Sequence, residues 1–315
     1  MANIFQHFKS STLGAPVLNG QSGSLIRVLD YCLTGSTTGW TRTFTSSSNG
    51  SVARAVYRQA SGSQFYLNVQ DDSLSTPKEA RFWGWESATS QDTGSGQFPN
   101  SVLAQGVPSG YGYLVMRKSA TADATARAWQ CFVDTSTIYL FALSTDGSAY
   151  QSLVFGDIYS LKPNDAYKCM AIGRVSENGA TGENLQTVNA LNTNVAGHYI
   201  ARTYGGGGYP VLCGKHGDTV KGGGNTTLVG TVQYPNGADG TLYMSPLWIH
   251  EPTTLTVRGR MRGFWHLCHA TANFADGDTI NGSSTLSGKT FQIVKPTEFS
   301  GHFCIETSAT LETGS

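Results

Sequence analysis

Charge is scarce in this chain. Of its 315 residues only 13% are charged, and 21 acidic side chains balance 21 basic ones to a formal net charge of +0. A chain with no excess of either sign lacks the field that gathers nucleic acid or an anionic membrane surface. Long apolar runs are missing as well. No stretch approaches the roughly twenty residues that a membrane-spanning helix needs. The opening Met1-Ala2-Asn3-Ile4-Phe5-Gln6-His7-Phe8-Lys9 has no basic segment leading into a continuous apolar core, so it does not read as a secretory signal. Intact catalytic signatures are also lacking: there is no Gly-x-Ser-x-Gly elbow and no His-Glu-x-x-His pair.

What fills the chain is turn and strand. Thirty-eight glycines and 14 tyrosines accompany short Thr/Ser/Tyr/Phe/Val segments. Alternation marks strands at 39–44 and 53–58, then at 64–70 and 80–86. Trp129 to Asp134 and Thr137 to Leu143 read as a hairpin across Asp134-Thr135-Ser136, with a further run from Tyr150 to Phe155. Later runs are 226–232, 242–249, 254–260, 290–294 and 302–307. Crossover helices are missing between them, which argues antiparallel sheets. One helix is expected over Ser24 to Leu33, where Leu25, Val28, Leu29, Cys32 and Leu33 fall at helical intervals. Ser24 is placed to cap it and Gly35 to end it. Ten residues make a marginal helix alone, so it must dock on a sheet.

These patterns predict an all-β fold: several β-sandwich or barrel-like units with long Gly-rich loops and one short N-terminal helix. The division expected is a β-rich domain over 1–175, a linker or long loop over 176–195, and a second β-rich domain over 196–315. The glycine clusters at 205–208 and 222–224 read as wide loops at a sheet edge.

Chemistry has three candidate places. Gly282 to Thr290 resembles a phosphate-cradling loop, but it has five residues where four are required, and a strand-like run follows it instead of a helix. It reads as a turn. Cys213 with His216, His266 with Cys268 and His269, and His302 with Cys304 could offer zinc its preferred atoms. Their spacing is loose, and the cysteines serve equally as small buried hydrophobes, so no metal and no cofactor is expected. All six cysteines, Cys32 and Cys131 included with Cys169, are expected as reduced thiols. The third place is a pair of carboxylates. Asp71-Asp72 and Asp276 with Asp278 are the densest acidic spots, and both read as solvated turn residues. A non-enzymatic role is expected.

Arg258, Arg260 and Arg262 form the densest basic set, at a spacing that puts them on one side of a strand. They do not amount to a nucleic-acid face. With Trp265 beside them they are the candidate interface residues, expected to pair with acidic groups across a subunit boundary, since arginine with aromatics is the composition of interface anchors. Trp248 and Phe264 lie close in sequence and fit a core equally well.

Several passages resemble uncharacterised virion structural proteins encoded in the late operons of tailed bacteriophages. They are Gly39-Trp40-Thr41, Ala55-Val56-Tyr57-Arg58, Glu79-Ala80-Arg81 with Gly84-Trp85-Glu86, Arg117-Lys118-Ser119, Ala128-Trp129, Phe155 to Ser160 and Asp165-Ala166-Tyr167. Together they span about Tyr31 to Arg174. The resemblance implies a non-catalytic particle protein of the tail or baseplate, with capsid decoration or a collar as alternatives. It also implies other virion proteins as partners in a symmetric or homo-oligomeric assembly, built in the host cytoplasm. A host-surface glycan-binding module is a further alternative, with Tyr199, Tyr204, Tyr209 and Tyr234 around the glycine clusters. A glycan hydrolase is the last.

Overall fold

A computed structural model describes residues 5–35, 37–48, 51–72, 77–100, 112–143, 150–174, 196–207, 211–212, 214–216, 232–251, 256–270, 274–295 and 302–307. Strand dominates. In chain order the strands begin β1 (Gln6–Lys9), β2 (Thr41–Ser48), β3 (Ser51–Arg58), β4 (Tyr66–Gln70), β5 (Glu79–Trp85), β6 (Ser87–Ala88) and β7 (Gly94–Ser95). Next come β8 (Leu114–Arg117), β9 (Trp129–Val133), β10 (Thr137–Leu143), β11 (Tyr150–Asp157), β12 (Tyr159–Ser160) and β13 (Cys169–Arg174). The remainder are β14 (Ala196–Ile200), β15 (Val211–Leu212), β16 (Gly214–His216), β17 (Met244–Glu251), β18 (Thr256–Leu267), β19 (Thr279–Asn281), β20 (Thr290–Val294) and β21 (His302–Glu306). The segment read as a linker, 176–195, lies outside the described residues, as do Gly222 to Gly224 and all but Val232 of the strand expected over 226–232.

Two large antiparallel sheets organise these strands, apart from β6 and β7, which pair with each other as a two-stranded ribbon. The first runs β1-β9-β10-β11-β13-β8-β5-β4-β3-β2, with β14 and β15 branching from β13, and curls into a half-barrel. The second runs β16-β17-β18-β21-β20-β19, with β12 added beside β18. Thus β12 joins the second sheet from before residue 175, and β14 joins the first sheet from beyond residue 195.

The central strands of the first sheet are buried on both faces. Ile138, Leu140 and Ala142 of β10 enter a core under the helix, while Tyr139 and Phe141 enter a second core between the sheets. The alternation repeats in β11, where Leu153 and Phe155 face the helix and Val154 faces away. In β13 Cys169 and Ala171 oppose Met170 and Ile172 in the same manner. Leu247 and Ile249 of β17, Met261 and Phe264 of β18 and Phe303 of β21 close the inter-sheet core from the other side. Each large side chain buried this way contributes about 1.5–3 kcal/mol. A third core, with Trp265, Leu267, Phe291 and Cys304, lies on the far face of the second sheet.

Helix α1 spans Ser24–Leu29 and continues as a π-helical turn, Asp30–Thr34, before Gly35. Its start differs from expectation. The cap position is Gly23, whose φ of 76° suits only a residue without a side chain, and Ser24 instead donates through Oγ to the Asn19 carbonyl (2.8 Å). The orphan N–H of Leu25 donates to Asp71 Oδ2 at 2.9 Å, so a carboxylate from the end of β4 does the capping. Asp71 was expected in solvent. It is buried, ion-paired with the equally buried Lys118, whose Nζ also donates to the Gln21 carbonyl at 2.7 Å. Burial pushes the Asp71 carboxyl up to about 6, and Lys118 opposes that rise. The pair therefore fixes the helix to two strands at once.

Lys118→Met is expected to lower stability to urea by about 3–5 kcal/mol, because Asp71 is left as a buried charge without its cation. Adding Asp71→Asn, which keeps an acceptor for the Leu25 N–H without the charge, is expected to recover part of that loss. Parent-like stability of the single variant would show that the pair does not hold the helix.

Candidate functional site

The described residues place the three arginines on one strand but give them different work. Strand β18 pairs with β17 on one side and, on the other, with β12 at residues 259–260 and with β21 at residues 264–267. The approach of β12 requires Gly259, since a Cβ there would lie 2.1 Å from the Tyr159 carbonyl oxygen. The ladder then sets Tyr159, Arg260 and Trp248 in one cross-strand row.

Arg258 is fully buried. Its Nε and Nη2 donate to the two oxygens of Asp165 at 2.7 and 2.8 Å, and its Nη1 donates to Glu251 and to the Arg202 carbonyl (3.2 Å). Asp165 also accepts from Ser160 Oγ (2.6 Å) and from the Tyr167 N–H (3.1 Å), while Glu251 accepts from the Tyr204 N–H (3.0 Å). One guanidinium thereby ties β18 to the turn after β12 and to the segment after β14. A planar fork with two carboxylates suits arginine and not lysine.

Arg262 pairs with Asp134 at 2.8 Å and donates to Ser136 Oγ at 2.6 Å, while its carbonyl accepts from Tyr139 OH at 2.8 Å. Asp134 also accepts from the N–H groups of Ser136 and Thr137, both at 2.7 Å, closing the β9–β10 turn. The acidic partners expected across a subunit boundary are thus supplied, for Arg258 and Arg262, by the same chain. Trp265 is 8% exposed and packs edge-on against Phe291 in the third core.

Arg260 differs. It is half-buried, its guanidinium lying 5.4 Å from the Tyr159 ring centre and 5.8 Å from that of Trp265. Beside it opens a cleft of about 870 Å³, walled by the turn from Ile158 to Lys168 and floored by Trp248, Arg260 and Arg262. Among the described residues four cations, Lys162, Lys168, Arg260 and Arg262, line it together with one acid, Asp165, and that acid is held by Arg258. Lys162 donates to the Tyr204 carbonyl at 2.7 Å, and Lys168 lies 3.8 Å from the buried Asp157. Burial raises the Asp157 carboxyl above the usual aspartate range.

The remaining candidates resolve into structure. His269 is fixed through both ring nitrogens, Nε2 accepting from the Tyr243 N–H at 2.8 Å and Nδ1 facing the Gln233 carbonyl at 2.9 Å. His266 stacks on Phe303. Cys213 lies outside the described residues, and no cluster that could hold a metal is present among the described ones. The five described cysteines are buried and none is in a disulfide; burial drives the thiols of Cys131, Cys169 and Cys304 upward in pKa. Asp276 and Asp278 serve a turn: Asp278 accepts from the Ala275 N–H (2.7 Å) and Asp276 from the Lys295 N–H (2.9 Å). The stretch before Thr290 ends in a 3₁₀ turn and β20, not a helix. Of the tyrosines, Tyr199 is buried in the helix-side core, Tyr204 and Tyr234 are exposed, and Tyr209 lies outside the described residues.

Sequence reasoning missed the cleft wall, because Tyr159 and Lys162 come from a distant turn. The one signal was the pairing of Asp165 with a basic strand, and distance in sequence hid it. No family model matches the chain, and no curated protein matches it. No helix among the described residues is long and apolar enough to cross a membrane.

Arg258→Gln is expected to cost at least about 3 kcal/mol in urea unfolding, since Asp165 and Glu251 then lose their shared cation inside the protein. Arg260→Gln, at a half-buried guanidinium on the floor of the cleft, is expected to cost less than Arg258→Gln. Equal costs would contradict the division of labour between the two.

Proposed function

We propose that this chain is a non-catalytic structural component of a tailed-phage virion, most directly of the tail or baseplate, with capsid decoration or a collar as the nearest variants. The observation that carries the non-catalytic part is where the carboxylates go. Asp71 pairs with Lys118, Glu79 with Arg174, Asp134 with Arg262, Asp165 and Glu251 with Arg258, and Glu306 with Lys289. Acids held this way by cations and backbone N–H groups brace the fold, whereas a hydrolytic pair must face a cleft with its protons available.

Assembly is supported by the sheet edges. Among the described residues the path of the first sheet ends at β1 and β2, and β2 is eight residues long. Such edges offer backbone groups to a neighbouring strand, and a symmetric particle supplies the neighbour. In this reading the two sheets, which exchange β12 and β14 between the ranges 1–175 and 196–315, act together as one architectural unit, the Gly-rich segments act as loops at sheet margins, and the partners are copies of this chain and other virion proteins. Assembly takes place in the host cytoplasm.

Density-gradient-purified particles, analysed by quantitative mass spectrometry, are expected to contain the chain in a fixed ratio to the main shell protein. Its absence from infectious particles would overturn the proposal.

A further inference from the structure

We infer that Asn236 is a site of spontaneous covalent modification, at which the Gly237 amide nitrogen closes on the Asn236 side chain to a succinimide that water opens to isoaspartate or aspartate. The inference goes beyond the particle reading and does not rest on it.

Three Asn-Gly pairs lie among the described residues: Asn19-Gly20, Asn236-Gly237 and Asn281-Gly282. Glycine permits the reaction, because it has no side chain to hinder the approach of its own nitrogen. That nitrogen must also be free to move. The Gly20 N–H donates to the Asp123 carbonyl at 3.0 Å. Asn19 before it is buried, its carbonyl accepting from Ser24 Oγ and its Oδ1 from the Gln21 N–H. The Gly282 N–H donates to the Lys289 carbonyl at 2.8 Å, and Asn281 is paired with Thr290 in the β19–β20 ladder. Gly237 differs. It is exposed, and its N–H has no hydrogen-bond partner among the described residues. The Asn236 side chain donates from Nδ2 to Asp239 Oδ1 at 2.6 Å, in an exposed turn. That bond ties the leaving nitrogen and not the carbonyl carbon under attack. Water replaces an exposed bond readily, whereas the other two pairs react only after a buried turn or a strand pair has opened.

The reaction balances without oxidant or cofactor. The Gly237 nitrogen bonds to Asn236 Cγ, the Cγ–Nδ2 bond breaks, and the proton lost by Gly237 leaves with the amide nitrogen as ammonia. Water then enters at one of two carbons. Entry at Cγ restores the main chain with aspartate at 236. Entry at the Asn236 main-chain carbonyl carbon leaves the chain running through Cγ, as isoaspartate. Both products strain the turn. Hydrogen bonds from Tyr243 OH (2.6 Å), Asn236 Nδ2 and Thr241 hold the Asp239 carboxyl well below the usual aspartate range. A carboxylate at 236 replaces one of those donors with a like charge. Isoaspartate also inserts a methylene between the Asn236 N–H and carbonyl, which close the turn by bonding the Thr241 carbonyl (3.2 Å) and the Gly240 N–H (2.7 Å).

Peptide mapping of the full chain tests this after incubation in mildly alkaline buffer at physiological temperature. Mass reports amide turning into acid, and electron-transfer fragmentation separates isoaspartate from aspartate. In the folded chain Asn236 is expected to convert at least about tenfold faster than Asn19 or Asn281, with isoaspartate among its products. In urea the three are expected to converge, because the Gly20 and Gly282 nitrogens are then released as well. Gly237→Ala, whose added Cβ enters open space, is expected to slow conversion at 236 at least about tenfold with an unchanged circular dichroism spectrum. Four results would each overturn the assignment: Asn19 or Asn281 converting as fast as Asn236 in the folded chain, Asn236 intact under conditions where the unfolded chain reacts, aspartate formed without isoaspartate, or undiminished conversion in Gly237→Ala.

Discussion

Everything else in this fold depends on four strands that have no solvent face. β9, β10, β11 and β13 deliver alternate side chains to the helix-side core and to the core between the sheets. A strand in that position cannot slip by one residue, because the slip would exchange the two sets of side chains between cores of different shape. Register is thereby fixed for both sheets together.

A chain with few charges places a large share of them inside. Lys118, Arg174, Arg258 and Arg262 each meet a carboxylate in buried or nearly buried surroundings. Buried pairs of this kind add little net stability over apolar contacts, because desolvation offsets most of the attraction. Their effect is directional. Arg258 can satisfy Asp165 and Glu251 only when the turn after β12, the end of β17 and the segment after β14 are all in place, so it selects one docking of the second sheet. The cleft beside Arg260 exists because its neighbour on the same strand pins down the turn that forms the wall.

The sequence carried most of the strand pattern and little of the wiring. Thr137 to Leu143 reads as a strand and is one, β10, with the same limits, because its β-branched and aromatic residues sit beside a short polar turn. The helix was visible in the spacing of Leu25, Val28 and Leu29, although its last turn widens to π at Asp30. β8 and β13 left no comparable trace. Every residue of Cys169-Met170-Ala171-Ile172-Gly173-Arg174 is buried, and a strand covered on both faces shows no polar alternation to read. Asp71 was misread as a solvated turn residue because its partners, Leu25 and Lys118, lie 46 and 47 positions away. Asp165 and Arg258 are farther apart still, at 93 positions. Residue spacing reveals local periodicity, but pairs of that separation are set by topology. Several passages that carry the resemblance, those with Lys118, Trp129, Asp157 and Asp165, turn out to supply these ties and the core around them.

The central claim, that the chain is an architectural part of a tailed particle, is tested most directly by electron cryomicroscopy of the intact particle that carries it. The account predicts density for both sheets at symmetry-related positions, with the edge of β1 or β2 in contact with a neighbouring subunit. Well-resolved particles whose density is fully accounted for by other chains would contradict it.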